Sequence, residues 1–389
     1  MRETTCRACG SSRLHIFHRQ DEVPANSCLL VHTRDEAERF PRGRIDLGFC
    51  SDCGFIGNTS FQPSLARYSA DYEETQAFSA KFVDFAQDLA RDWVSRYRLA
   101  GKHVVEIGGG KGEFLVMMAE AGIGTGVGID PGVDPERIGP SGGGRLLWEN
   151  SLFDASYGPL VADAIVCRHT LEHVPNVREF LTDIRAAIGD NRETVLLFEL
   201  PDTTRVLEEA AFWDVYYEQC SYFSEGSLAR LFESCGFEVL DISLAYDDQY
   251  LLLEARPVSA SPDGRWQCND MERLERGITH FASGYESIVA GWRDRLTRIQ
   301  ERGGRSVIWG ASSKGVSFLG AVGDLVEAAV DVNPNKHGTY VAGSGHRIVA
   351  PRQLTSIAPD LVVVMNPIYL AEIEAEMDRL GVRAEISPV

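Results

Sequence analysis

Long apolar runs are missing from this 389-residue chain. No stretch could span a bilayer and no secretory signal is recognisable at the N-terminus, so a cytoplasmic protein is expected. Positive charge is scarce: 38 Lys and Arg stand against 57 Asp and Glu, a net charge of −19. A surface that acidic repels nucleic acid and anionic membranes, which argues against both as partners; an anionic small molecule would need a local cluster of donors. A disulfide framework is not indicated either. Nine cysteines are an odd number, and in a cytosolic chain they point to metal binding or free thiols. No short-period repeat is present. The composition is otherwise ordinary, 44% hydrophobic and 24% charged, at a length that calls for two or three domains.

The cysteines are not scattered. Cys6-Arg7-Ala8-Cys9 and Cys50-Ser51-Asp52-Cys53 are two C-x-x-C knuckles in a segment that reads as loop-rich. Cys6, Cys9, Cys50 and Cys53 together would close a tetrahedral shell around a structural zinc ion, with no open position for catalysis. Gly10 and Gly54 follow the knuckles, where a tight turn would aim backbone N–H groups at sulfur. Cys28 and His32 lie between the knuckles as alternative ligands.

A helix with apolar residues at Phe78, Phe82, Phe85, Leu89 and Trp93 is expected over 76–98. Then comes Val104-Val105-Glu106-Ile107-Gly108-Gly109-Gly110-Lys111-Gly112: a buried strand, an acidic residue and glycines at every second position. A helical run and a second strand ending at Asp130 complete a nucleotide-binding βαβ unit. Further strands are expected at 162–167 and 194–199, and 237–245 and 249–256 look like a closing antiparallel edge pair. The 257–266 segment reads as a linker and 270–302 as a helix. A dinucleotide fingerprint would carry glycine where Glu113 stands. The G-x-G-x-G pattern behind Glu106 instead resembles the first motif of the S-adenosylmethionine (SAM) methyltransferases. That resemblance assigns Glu106, Gly108 and Gly110 to the amino-acid end of SAM and Asp130 to its ribose. Phe153 is placed near adenine, and Arg168 and His169 complete the pocket.

A second unit follows. Val307 to Gly315 is again strand, turn and helix, and Ala329-Val330-Asp331 supplies the acid. The Ser312 and Ser313 hydroxyls, the Lys314 ammonium and the helix-start N–H groups would suit a diphosphate.

Taken together, these parts resemble the sugar C-methyltransferases that act on nucleotide-linked keto-deoxysugars. The match runs through both knuckles, Tyr68 to Tyr72, Glu106 to Gly112, Leu171-Glu172-His173-Val174, Tyr216 to Ser224, Gly310 to Gly315 and Asp331 to Gly338. The resemblance implies an α/β protein of three parts: a zinc-binding module (1–65), a central class I SAM-methyltransferase Rossmann-like sheet (66–260) and a second, substrate-binding Rossmann-like domain (261–389). It places catalysis at Tyr216, Glu218 and Gln219 and acceptor contacts at Tyr72, Tyr217 and Tyr222. Its partner is a small molecule, a nucleotide-linked sugar. Oligomeric state is not legible.

Two positions depart from that family. The family's catalytic stretch reads Tyr-x-Glu-His, with the histidine as general base; here Gln219 stands in its place, and an amide takes no proton at neutral pH. After Tyr72 the family continues with an aromatic and paired serines, whereas this chain has Glu73-Glu74-Thr75. Carbon methylation needs an enolate, hence a base and a donor facing the oxyanion. Glu218 and His169 are the candidate bases, with His173 behind them. Oxygen or nitrogen methylation of a related anionic molecule is the alternative. An NAD-linked oxidoreductase or a zinc scaffold without catalysis are weaker readings.

Overall fold

A computed structural model describes residues 5–136, 138, 145–259 and 266–389. The 257–266 linker lies mostly outside the described residues. Three sheets organise the chain. The largest has seven strands in the order Phe237–Ala245, Tyr250–Pro257, Val195–Pro201, Ala164–Arg168, His103–Ile107, Thr125–Ile129, Arg145–Glu149. All neighbours are parallel except at Tyr250–Pro257, which is antiparallel to both of its neighbours. The expected edge pair therefore contributes only one edge strand, Phe237–Ala245, because Tyr250–Pro257 inserts beside Val195–Pro201. Ala164–Arg168 and Val195–Pro201 at the centre read as nearly continuous apolar runs, as strands buried on both faces do.

The C-terminal sheet is parallel throughout, in the order Ile348–Val349, Ala328–Val330, Ser306–Trp309, Leu361–Val364, Glu385–Pro388. In both parallel sheets the strand order reverses beside the strand that carries the glycine turn. This is the position at which open α/β sheets hold ligands, beyond the strands' carboxyl ends.

The N-terminal module corrects the loop-rich expectation. Leu14–Pro24, Arg42–Cys50 and Ile56–Asn58 form an antiparallel sheet, and Ser221–Tyr222 joins it as a fourth strand. Register shifts at Ile16/His18 and Gln20/Val23 break the two-residue alternation that would have marked the first strand. The expected 76–98 helix runs over Ala80–Arg96, with Ser79 accepting from the Phe82 N–H as its cap. Phe78 falls outside it and is 42% exposed.

The three units share one core. Ile45 and Phe49 of the module, Val206, Phe212, Tyr217 and Tyr222, Phe281 of the Met271–Glu301 helix and Phe318 of the C-terminal unit form one apolar cluster. His18 packs against the Phe281 and Tyr285 rings at 5.2 and 4.6 Å. Burial lowers its pKa to about 4, so it is neutral packing. Among the described residues no helix is long and apolar enough to cross a membrane.

Candidate active site

A cavity of about 910 Å3 lies where the carboxyl ends of the two parallel sheets face each other, and both glycine turns line it. In the first turn Gly108, Gly110 and Gly112 have φ of 75°, 53° and 76°, a region that side chains disfavour. Space is short as well: a Cβ on Gly108 would lie 2.0 Å from the Thr170 hydroxyl, and one on Gly110 2.3 Å from a Glu74 oxygen. Asp130 fastens the turn by accepting from the Gly110 N–H at 2.9 Å and the Gly132 N–H at 2.6 Å.

The floor beside this turn is charged. Glu106 is buried, one of its oxygens has no partner, and burial raises its pKa to about 7 against the pull of Arg168. Glu74 reaches about 7 for the same reason, with Lys111 opposing. Arg168 donates to Glu199 at 2.6 Å and lies 4.0 Å over the Phe114 ring, leaving one buried nitrogen unpartnered. A buried carboxylate and a buried guanidinium, each with an unmet polar atom beside a glycine cradle, suit the ammonium and carboxylate of an amino-acid ligand. The cradle fits SAM. Phe153 also lines the cavity, stacked on Tyr157 at 5.1 Å.

His169 requires a correction. It sits at φ 47°, with Nε2 2.8 Å from Glu199 and Nδ1 3.5 Å from Glu172. Burial disfavours its charge, but the two carboxylates override it and raise its pKa to about 9. With both ring nitrogens facing carboxylates, His169 has no lone pair turned to the cavity for the acceptor's proton.

The catalytic stretch divides by facing. Tyr216 and Gln219 line the cavity. Burial pushes the Tyr216 hydroxyl well above the usual tyrosine range, which keeps it a neutral donor. Tyr217 and Tyr222, expected at the acceptor, are fully buried and do not line the cavity. Tyr217 packs on Phe61 at 5.2 Å and accepts from the Gln62 N–H at 2.9 Å. Tyr222 is held in register with Ile56. Glu218 also lies behind the wall: Ser27 donates to it from backbone, at 2.7 Å, and from its hydroxyl, while Tyr72 on the cavity side stands at 3.4 Å. Burial raises the Glu218 pKa, against the Ser27 hydrogen bond.

His173 is in the lining, between Tyr68 and Tyr216 at ring distances of 6.0 and 6.4 Å. Its Nδ1 is 2.9 Å from the Glu218 carbonyl. A carbonyl only accepts, so Nδ1 carries hydrogen and, in the neutral ring, Nε2 keeps its lone pair.

On the opposite wall Ser312, Ser313 and Lys314 line the cavity. Lys314, however, is paired with Asp214, which also accepts from Arg205 at 2.8 Å. Sequence reasoning gave no site role to Arg205 or Glu74, both in the lining; Lys336, within the Asp331 to Gly338 match, lines the cavity as well. Lys336 stands in a short 3-10 turn, Pro334–Lys336, where no periodicity could mark its facing.

The four knuckle sulfurs lie within 4.8 Å of one another, a donor set that suits zinc. Cys28 is instead buried in the cavity wall, and His32 is exposed. The Gly10 and Gly54 N–H groups donate to the Cys6 and Cys50 carbonyls at 2.8 and 2.9 Å, so they close the turns rather than contact sulfur.

The chain is similar to known methyltransferases. A family described as a methyltransferase domain matches residues 82–242, and one described as a C-methyltransferase C-terminal domain matches residues 269–384. The C-methyltransferase NovU of Streptomyces niveus is 27% identical over 295 residues, 70% of this chain and 68% of that protein. Among solved structures, the dimethyltransferase RosA of Streptomyces davawensis is 24% identical, with a TM-score of 0.37 over 46% of this chain and 56% of its own. The magnesium protoporphyrin IX methyltransferase ChlM of Synechocystis PCC 6803 is 15% identical, with a TM-score of 0.36 over 45% of this chain and 83% of its own. The chain is a SAM-dependent methyltransferase, and its similarity extends to a methyltransferase domain and to a C-methyltransferase C-terminal domain.

Proposed function

We propose that this protein methylates a carbon of a nucleotide-linked keto-deoxysugar through an enolate. The observation that carries this reading is the one cavity lined by both glycine turns. In this reading residues 1–65 brace the site, 66–260 hold SAM and 261–389 hold the nucleotide. Glu106, Gly108, Gly110, Asp130 and Arg168 would hold SAM, which supplies an electrophilic methyl group when bound. His173 Nε2 removes the proton beside the ketone, with Nδ1–H anchored on the Glu218 carbonyl. Tyr216 and Gln219 donate toward the oxygen on which charge develops. Glu218 holds Ser27 and Tyr72 in place. Gln219, where the resembling family has its base, favours the second reading, oxygen or nitrogen methylation, in which no C–H bond breaks.

His173→Asn is expected to lower methyl transfer about 10²–10⁴-fold while S-adenosylhomocysteine (SAH) binding is kept. The two readings part on solvent deuterium. With TDP-4-keto-6-deoxyglucose as probe, wild type should exchange a proton beside the ketone in D2O and His173→Asn should not. Methylation without any exchange would support the second reading.

The SAM side carries a pH signature. The ligand ammonium needs ionised carboxylates, and Glu106 and Glu74 are half-protonated near 7 in the free protein. SAH affinity should therefore fall as pH drops below about 7, by up to roughly tenfold per unit per coupled group. Calorimetry from pH 5.5 to 8 measures this, and a flat profile would remove both carboxylates from the ammonium site.

A further inference from the structure

Beyond the end of the Ala164–Arg168 strand, His169, Thr170, Glu172 and His173 cross the cavity wall. The two ends of this run meet different parts of the site. Thr170 donates to the Gly108 carbonyl at 3.1 Å, which ties it to the first glycine turn. His173 faces the Tyr216 ring at 6.4 Å. Glu172 stands between them, on the short 3-10 turn Leu171–His173. The Cys220 N–H donates to its carbonyl at 3.0 Å, fastening this turn to the stretch that carries Tyr216. Of the charged groups near the Tyr216 hydroxyl, Glu172 acts on it most strongly.

Charge is unevenly shared here. Two cations, Arg168 and His169, face two carboxylates, Glu199 and Glu172. Glu199 takes both at contact distance, Arg168 Nε at 2.6 Å and His169 Nε2 at 2.8 Å. Glu172 has His169 Nδ1 at 3.5 Å; its other oxygen is buried without a partner, and the side chain is only 2% exposed. The lining's other Lys and Arg side chains are engaged elsewhere: Lys111 by the Ala70 and Gly132 carbonyls, Arg205 and Lys314 by Asp214, Lys336 by Ser312. A buried carboxylate with an unmet oxygen carries a desolvation cost that a cation at contact distance offsets.

Glu74 and Glu106 also keep an unmet oxygen in this lining, but both lie against the glycine turn. A Cβ on Gly110 would lie 2.3 Å from a Glu74 oxygen, and one on Gly109 2.7 Å from a Glu106 oxygen. Glu172 lies past Thr170, toward the Tyr216 wall. SAM has two cationic centres to match these two places. One is the ammonium of its amino-acid end; the other is the sulfonium, whose methyl group must face the acceptor.

We propose that Glu172 is the counter-ion of the SAM sulfonium and makes the site prefer SAM to its product SAH. The two molecules share ribose, ammonium and carboxylate, and the sulfonium charge separates them. The assignment rests on SAM as cofactor and on no particular acceptor.

The test is calorimetry of the full-length protein with SAH and with sinefungin, which carries an ammonium-bearing carbon in place of the sulfonium. Wild type should bind sinefungin at least tenfold more tightly than SAH; equal binding would overturn the assignment. Glu172→Gln should weaken sinefungin about tenfold or more and SAH less than about threefold, since His169 keeps its contact with Glu199. Glu106→Gln should weaken the two ligands alike, because both carry the amino-acid ammonium. Equal weakening by Glu172→Gln would make Glu172 part of the ammonium site or of the framework and overturn the proposal. Thermal denaturation reports folding. If Glu172→Gln is unfolded, Glu172→Asp decides, because it keeps a charge for His169 while withdrawing it from the cavity. A reduced sinefungin preference with SAH affinity intact supports the assignment, and an unchanged preference overturns it.

Discussion

Gly108→Ala is expected to abolish SAH binding, lowering affinity at least 100-fold. Two costs add. The residue holds φ 75°, where an alanine is strained by about 1–2 kcal/mol. Its Cβ would also lie 2.0 Å from the Thr170 hydroxyl. Thr170 cannot swing aside freely, because its one hydroxyl proton is shared between the Gly108 carbonyl at 3.1 Å and the Arg168 carbonyl at 3.0 Å. The turn must shift, carrying with it the amides that Asp130 fastens. A total destabilisation of about 2–4 kcal/mol is expected. Gly101→Ala is the internal control: its φ is 72°, but nothing lies within 4 Å of the added Cβ. It should cost about 1 kcal/mol and leave SAH binding alone. Thermal denaturation and calorimetry on both variants read the difference, and equal SAH affinity in the two would show that the close approach at Gly108 is unimportant.

Removing metal from the knuckles is expected to disable methyl transfer more than 100-fold while SAH binding changes less than about fivefold. The knuckles are clamped to the methyltransferase sheet's helices from outside: Arg178 donates to the Ala8 carbonyl at 2.7 Å and Arg230 to the Cys53 carbonyl at 2.9 Å. Behind them, Ile56–Asn58 pairs with Ser221–Tyr222, and the Asn58 N–H donates to the Cys220 carbonyl at 2.9 Å. The stretch from Tyr216 to Gln219 leads directly into that strand. A structural zinc ion contributes folding energy of order 10 kcal/mol to its own module, so its loss loosens the acceptor wall first. The glycine turn of the SAM unit has no bond to the module's strands among those described. Hydrogen exchange of the chelated full chain measures this. Faster exchange at 56–58 and 220–222, with the 104–112 amides unchanged, is the expected pattern. Simultaneous loss of protection in both regions would mean that the metal holds the whole molecule.

The charges in the cavity were the least legible part of the sequence. His169 follows a strand, as a site histidine should, yet its proton is set by Glu199, 30 residues away. Lys314 stands at a helix start in a phosphate-like turn, yet its charge is balanced by Asp214, 100 residues earlier. Lys336 lies within the Asp331 to Gly338 match, but its short 3-10 turn has no periodicity to mark its facing. Within Tyr216 to Tyr222 the side chains divide by partners distant in sequence: strand pairing with Ile56 turns Tyr222 into the core, and Phe61 with the Gln62 N–H holds Tyr217 there.

What the sequence by itself determined is the local chemistry that recurs at fixed spacing. The two knuckles, the glycines at 108, 110 and 112 and the acids at 130 and 331 all answer to neighbours a few residues away or to the next strand, so spacing alone locates them. The tertiary structure decided the facing and protonation of everything else in the cavity. Those depend on which distant carboxylate or backbone group completes each side chain's environment, and in a buried site such partners outweigh any intrinsic preference.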